Sequence, residues 1–106
     1  MSSIFHVADR SAWAATTPST PYAWSSRDLP LTEAGFIHCC TEPQLPHVLT
    51  TYYADADPAT LCLLEIDPSS LDVRYEPAPT GDLFPHLYSP LPLSSVIRVL
   101  PLPNTR

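Results

Sequence analysis

The chain has 106 residues, of which 44% are hydrophobic and 15% are charged, and its formal net charge is −6. This length suits a single globular domain, residues 1–106, with one modest hydrophobic core. The sequence contains no lysine and only two glycines, which excludes the phosphate loops of P-loop and dinucleotide-binding proteins. The acidic balance, without any basic run, argues against nucleic acid as a partner.

The first forty residues predict two strands, one helix and one helical turn. Asp9 stands in N-cap position for the first helix, and Ser25 or Ser26 caps a shorter helical turn that Gly35 ends. The predicted elements are a strand over residues 4–8, a helix over residues 9–16, the turn that ends at residue 35 and a strand over residues 36–40.

The second half predicts one further helix and three strands. Thr41 and Gln44 form a capping-box pattern, and apolar residues then recur at helical spacing, although Pro46 interrupts the early hydrogen bonds. The predicted strands cover residues 61–66, 73–76 and 96–100, and residues 84–92 are expected to be irregular because of their prolines. The order indicates a compact α+β domain with short, mostly antiparallel strands and two or three helices.

The cysteines and the N-terminal residues indicate the compartment. Cys39, Cys40 and Cys62 are an odd set that includes two neighbours, which disfavours a secreted disulfide framework. The N-terminus has no signal-peptide pattern, and no apolar run approaches the ~20 residues that span a membrane. We therefore expect a cytoplasmic protein with reduced thiols and no membrane association, and the sequence leaves its oligomeric state open.

Two strand-to-helix junctions each carry a histidine. His6 precedes the helix capped by Asp9, and His38 precedes the helix capped by Thr41. A helix N-terminus attracts anions, and a histidine beside it can hydrogen-bond a phosphate or transfer a proton near neutral pH. Arg10 follows the first junction and is the arginine best placed to hold an anion. The alternative is that either histidine is a hydrogen-bonded core residue.

A third histidine lies in the proline-rich segment LFPHLYSPLPL. This segment presents His86 and Tyr88 together, and its prolines hold the chain stiff enough for a binding site. The alternative is an ordered loop that packs Phe84, Leu87 and Tyr88 over the core.

Metal binding and cysteine catalysis are weaker hypotheses. No H-x-x-x-H, C-x-x-C or H-E-x-x-H spacing occurs, so we expect no metal site. In a strand, Cys39 points away from His38, and a buried cysteine is usually inert.

The strings IFHVADR, EAGFIHCCTEPQLPHV, LLEIDPSSL, VRYEPAP and LFPHLYSPLPLSSVIRV together resemble domain-of-unknown-function family 952. The resemblance runs from about residue 3 to residue 102. Members of this family usually have serine where this chain has Cys40. The resemblance implies an ADP-ribosyltransferase-like fold, related to the NAD-dependent RNA 2′-phosphotransferases.

The same resemblance implies roles for individual residues. His6 matches the histidine that holds a ribose hydroxyl of NAD, and His38 matches the second histidine of the phosphotransferase strand motif. Two positions depart from the pattern. Val7 stands where that superfamily has glycine, and the region of the catalytic glutamate contains Glu76 and His86 without a clear match.

The sequence thus supports three hypotheses. The first is an enzyme that acts on NAD, as substrate, or on a related phosphorylated small molecule. His38, together with the helix N-terminus at Thr41, binds phosphate in this hypothesis, and His86 acts as an acid or base. The expected ligand-binding residues are His6, Arg10, Thr41 and Tyr88, and the expected catalytic residues are His38 and His86. The second is a non-catalytic ligand-binding module on the same fold, and the third is a structural protein whose histidines belong to the core.

Overall fold

Antiparallel pairing dominates the computed structural model, which describes residues 2–103. Within these residues the strands are β1 (Ile4–Asp9), β2 (Trp24–Ser26), β3 (Leu29–Pro30), β4 (Ile37–His38), β5 (Leu61–Ile66), β6 (Val73–Pro77), β7 (Leu83–Leu87) and β8 (Val96–Leu100). The helices are α1 (Arg10–Ala14), α2 (Leu31–Ala34) and α3 (Leu45–Tyr52). The predicted α+β class, a compact domain of short antiparallel strands with few helices, is confirmed.

The first sheet has the order β1-β5-β8 and forms the centre of the core. All six residues of β5 are buried, because alternate side chains of β1 and β5 enter two hydrophobic clusters on opposite faces of the sheet. One cluster includes Ile4, Ala8, Cys62, Leu64 and Ile66, and the other includes Phe5, Val7, Leu61 and Leu63. The prediction of a strand over residues 61–66 is confirmed, and this strand is the central one of its sheet.

The second sheet has the order β4-β7-β6. It joins the first sheet where Phe5 of β1 and Cys40, just after β4, exchange two backbone hydrogen bonds of 2.8 Å. A separate two-stranded hairpin, β2–β3, lies in contact with β4. These three elements bring the start of β1, the end of β4 and the hairpin close together.

The prediction that residues 84–92 are irregular is wrong for the segment that forms β7. Proline is rare in central strands because it lacks an N–H donor. Here the carbonyl of Pro85 accepts from Cys39 N, so the Pro85 nitrogen also faces the β4 side. β4 pairs with β7 only through Ile37 and His38. The N–H that Pro85 lacks would lie just beyond these two residues, so the paired residues lose no hydrogen bond.

The predicted cap at Ser25 or Ser26 is also wrong. These serines belong to β2, and the helical turn α2 starts only after Pro30. The end of that turn is as predicted, since Gly35 adopts a left-handed φ of 89° that favours glycine. The first helix is shorter than expected, and the side chain of its N-cap residue Asp9 makes no capping hydrogen bond.

The helix after β4 begins in two steps. A 3₁₀ turn covers Glu42–Gln44, and the side chain of Gln44 accepts from the backbone N–H of Thr41 at 3.0 Å, as the capping-box pattern predicts. The α-helix α3 then starts afresh at Leu45, which places Pro46 in its first turn. In the first turn of a helix the backbone N–H groups have no intrahelical acceptor, so a proline at this position loses no hydrogen bond. The new start at Leu45 therefore explains how the chain accommodates Pro46.

Candidate functional site

A cleft of about 540 Å³ opens between the β2–β3 hairpin, α3 and the face of β7. Its walls are mainly apolar and aromatic, with contributions from Phe5, Val7, Leu29, Phe36, Val48, Tyr52, Tyr53 and Phe84. The polar side chains among its lining residues are Ser26, Arg27, His38 and His86, together with Cys39 and Cys40. An apolar cleft with a few convergent polar groups is the usual form of a small-molecule site.

Strand pairing brings two histidines together at this cleft. His38 of β4 and His86 of β7 stand directly opposite each other in register, and their ring centroids lie 5.7 Å apart. The ring of Phe36 packs against both, at 4.6 Å from His38 and 3.9 Å from His86. Alternate residues of an extended chain point to the same side, so Phe36 and His38 share one face.

Glu76 of β6 orients the His86 ring. Its Oε1 atom lies 2.7 Å from His86 Nδ1 and accepts a hydrogen bond from the Tyr88 hydroxyl at 2.5 Å. The bonds from Tyr88 and His86 hold the pKa of Glu76 below its ordinary value. The carboxylate is therefore ionised, so Nδ1 carries the proton that it shares with Glu76. Within residues 2–103, His86 Nε2 has no hydrogen-bond partner and is free for a ligand.

Ser25 of β2 holds the second ring. Its Oγ atom is buried and lies 2.6 Å from Nδ1 of His38, whereas His38 as a whole remains exposed to solvent. Partial desolvation in the cleft wall, and secondarily the neighbouring His86, lower the pKa of His38. His38 is thus predominantly neutral at pH 7 and offers a ligand a hydrogen bond rather than a positive charge.

His6 does not line the cleft. Its side chain is 1% exposed, and both of its nitrogens have partners: Nδ1 lies 2.5 Å from the His38 carbonyl oxygen and Nε2 lies 2.8 Å from the Tyr22 hydroxyl. A carbonyl can only accept, so Nδ1 donates and Nε2 accepts from Tyr22. Burial lowers the pKa of His6 to about 4. The ring has no free atom for a ligand and instead holds the backbone of His38.

The other three expected ligand-binding residues lie behind or outside the cleft. Arg10 donates from Nε to the Ala59 carbonyl at 3.1 Å. The backbone N–H of Thr41 is used by its capping partner, and neither residue lines the cleft. The Tyr88 hydroxyl donates a hydrogen bond to Glu76, and its ring stacks on Phe36 with the ring centroids 5.6 Å apart. Tyr88 therefore contacts the neighbours of the two histidines but does not line the cleft.

The comparisons with known proteins agree with the sequence resemblance. A family model described as "Protein of unknown function (DUF952)" matches residues 7–99. The chain belongs to this family. No curated protein matches the chain.

Solved structures of protein CC0527 from Caulobacter crescentus resemble the DUF952 chain. The X-ray structure is 28% identical with a TM-score of 0.77, covering 92% of this chain and 82% of that chain. The solution NMR structure is 28% identical with a TM-score of 0.73, covering 95% of this chain and 84% of that chain. These matches support the fold described above.

The thiols of this DUF952 protein are poor nucleophiles. Cys39, Cys40 and Cys62 are free and buried. Burial raises the pKa of all three thiols, that of Cys40 to about 12, and only the thiolate is an effective nucleophile.

Within residues 2–103 no group of three His, Cys, Asp or Glu side chains could hold a metal ion. No helix in the same residues is long and apolar enough to cross a membrane.

Three polar residues were not among the expected site residues: Ser25, Arg27 and Glu76. Ser25 and Arg27 lie in a hairpin that the sequence did not predict. Arg74 of β6 pairs with Asp72, and Glu76 of the same strand bonds to His86. A prediction of β7 as a strand would have indicated this contact, because pairing of β6 with β7 places Glu76 opposite Phe84 and thus diagonal to His86 on the same face of the sheet.

Proposed function

We propose that this cleft binds NAD or a related phosphorylated small molecule, and that His38 and His86 act on it. A planar ring such as nicotinamide or a nucleobase would pack between the aromatic walls, and its sugar hydroxyls would face the two histidines. The volume of about 540 Å³ falls within the range of small-molecule sites. The proposal keeps the relation to ADP-ribosyltransferases that the sequence resemblance implies.

The observation that carries the proposal is the Glu76–His86 pair at the edge of an apolar cleft. A carboxylate bonded to one ring nitrogen fixes the tautomer and leaves the other nitrogen free as a base. Such a pair is the arrangement that activates a hydroxyl group or water in many transferases and hydrolases. Here the free atom is His86 Nε2.

The residues divide the chemistry between them. His86 Nε2 would accept the proton of a ligand hydroxyl or of a water molecule, and Glu76 would stabilise the imidazolium that forms. His38 would hydrogen-bond the ligand in its neutral form, which suits the apolar surroundings. The buried His6 serves as a positioning residue, since its bond to the His38 carbonyl holds that strand end in place.

Calorimetric titration with NAD tests the proposal. We expect saturable binding to the wild-type protein and a loss of about tenfold in affinity for His38→Ala and for His86→Ala, because each removes one hydrogen bond to the ligand. His47→Ala is the matched control, since His47 is exposed on α3 and does not line the cleft. Absence of binding at millimolar NAD, or equal affinity of all four proteins, would contradict the proposal.

A non-catalytic binding module is the second candidate. The observation in its favour is that the cleft is mostly apolar and its thiols are not nucleophilic. Recovery of bound NAD unaltered after prolonged incubation would support the module, whereas release of nicotinamide would support the enzyme.

A further inference from the structure

Arg27 is the one cationic side chain among the described residues that line the cleft. It sits in the turn between β2 and β3 with a φ of 46°, the one positive value at a non-glycine residue in the part of the chain that the structure describes. A non-glycine residue in this sparsely populated backbone conformation is strained, and such strain is often found at functional sites. The turn directs Arg27 across the cleft towards the end of α3.

The contacts of Arg27 use only part of its guanidinium group. One nitrogen, Nη1, donates to Asp55 at 3.0 Å and to the Tyr52 carbonyl at 3.3 Å. The guanidinium carbon lies 5.6 Å from the centre of the Tyr53 ring. Nε and Nη2 have no hydrogen-bond partner within residues 2–103, so the edge of the fork that binds oxyanions in a bidentate manner remains free.

Asp55 is the anionic partner of Nη1 of Arg27. The hydrogen bond from Arg27 holds the pKa of the Asp55 carboxyl below its ordinary value. Both side chains are nevertheless exposed, at 43% for Arg27 and 77% for Asp55. An exposed ion pair contributes little stability, so an anion that binds the free edge of the guanidinium can weaken the bond to Asp55 at small cost.

We propose that Arg27 anchors one phosphate group of the cleft's ligand through its free Nε–Nη2 edge, and that the neighbouring Asp55 carboxylate opposes this contact by sharing the same guanidinium and repelling the phosphate. The anchor rests on the proposed function, because it needs a ligand whose uncharged part occupies the cleft. It describes the bound part of the ligand more closely: a planar ring linked through a sugar to a phosphate that reaches the hairpin, as in the nicotinamide half of NAD. One guanidinium is suited to one phosphate, and the remaining polar lining, with neutral His38, is suited to hydroxyls.

The test compares nicotinamide mononucleotide with nicotinamide riboside, which differ only in the phosphate. We expect the wild-type protein to bind the mononucleotide about tenfold more tightly, since a charge-assisted bidentate pair is a strong contact. Arg27→Gln should abolish this preference and leave riboside affinity unchanged. Asp55→Asn should increase the preference by removing the competing carboxylate. Arg10→Gln, outside the cleft, is the matched control.

The opposite effects of the two variants separate an anchor from a structural ion pair. If the pair only stabilises the fold, Arg27→Gln and Asp55→Asn should lower thermal stability alike and alter both affinities equally, which would overturn the anchor. If neither probe binds any variant, the proposed nicotinamide ligand fails, and inorganic phosphate decides the anchor by itself. Amide shifts at Ser26 and Arg27 that phosphate induces in the wild type but not in Arg27→Gln would support it, and their absence would overturn it.

Discussion

Acidification should destabilise the protein through His6 by about 2 kcal/mol between pH 7 and pH 5. The pKa of His6 is lowered from 6.5 to about 4 in the folded protein, because the ring is buried. The unfolded chain binds a proton in this interval that the folded chain does not bind. The stability is therefore fully present above pH 6.5 and is lost as the pH falls towards 4, for a total of about 3 kcal/mol.

Denaturant unfolding at several pH values measures this loss, and the NMR titration of the His6 ring assigns it. We expect the His6 resonances to titrate with a midpoint near 4, in agreement with the buried environment. His47→Gln, at an exposed position, should retain the same pH dependence as the wild type. A His6 midpoint near 6.5, or unchanged stability between pH 7 and pH 5, would contradict the two buried hydrogen bonds assigned to the ring.

Replacement of Glu76 by Gln should lower turnover of NAD by a factor of about 100 or more, with a change in affinity of less than about threefold. The carboxylate does not contact the ligand in our account. It fixes the His86 tautomer and stabilises the charge that His86 acquires, and a neutral amide does neither as well. Release of nicotinamide, measured by chromatography, gives the turnover, and calorimetry gives the affinity.

Tyr88→Phe is the matched control for this carboxylate. It removes the hydroxyl that shares Oε1 of Glu76 with His86 but keeps the stacking of the ring on Phe36. We expect a smaller loss of turnover, on the order of tenfold. Equal turnover by Glu76→Gln and the wild type would show that the Glu76–His86 pair has no catalytic role, whatever the cleft binds.

The sequence predicted most of the strands. Residues 4–8, 61–66, 73–76 and 96–100 each form a strand close to the predicted limits. The continuous apolar run over residues 61–66 forms β5, the central strand of its sheet, in which all six residues are buried. The strand β7 was not predicted, because proline is rare within strands. Pro85 is tolerated there because its nitrogen lies beyond the paired residues of β4, which the sequence does not show. The hairpin β2–β3 escaped because its turn uses Arg27 rather than a glycine at positive φ.

The candidate site was predictable in its histidines but not in their partners. His38 and His86 stood out by residue type, whereas their meeting at one cleft depends on the register of β4 with β7. His6 could not be distinguished from them, because every residue of IFHVA is buried. In a strand covered on both faces, the alternation of side chains does not show which residues reach a surface. The role of Glu76 required the pairing of β6 with β7.

The central claim is that Nε2 of His38 and Nε2 of His86, which have no hydrogen-bond partner within residues 2–103, meet a ligand in the cleft. Nitrogen-15 NMR of the imidazole rings during a titration with NAD tests this claim most directly. We expect the Nδ1 proton of His86 to remain bonded to Glu76 while NAD shifts the Nε2 resonances of both cleft histidines. The His6 resonances should stay unchanged, because that ring is buried and fully bonded. Unchanged Nε2 resonances at millimolar NAD, or a shift at His6 alone, would contradict the account.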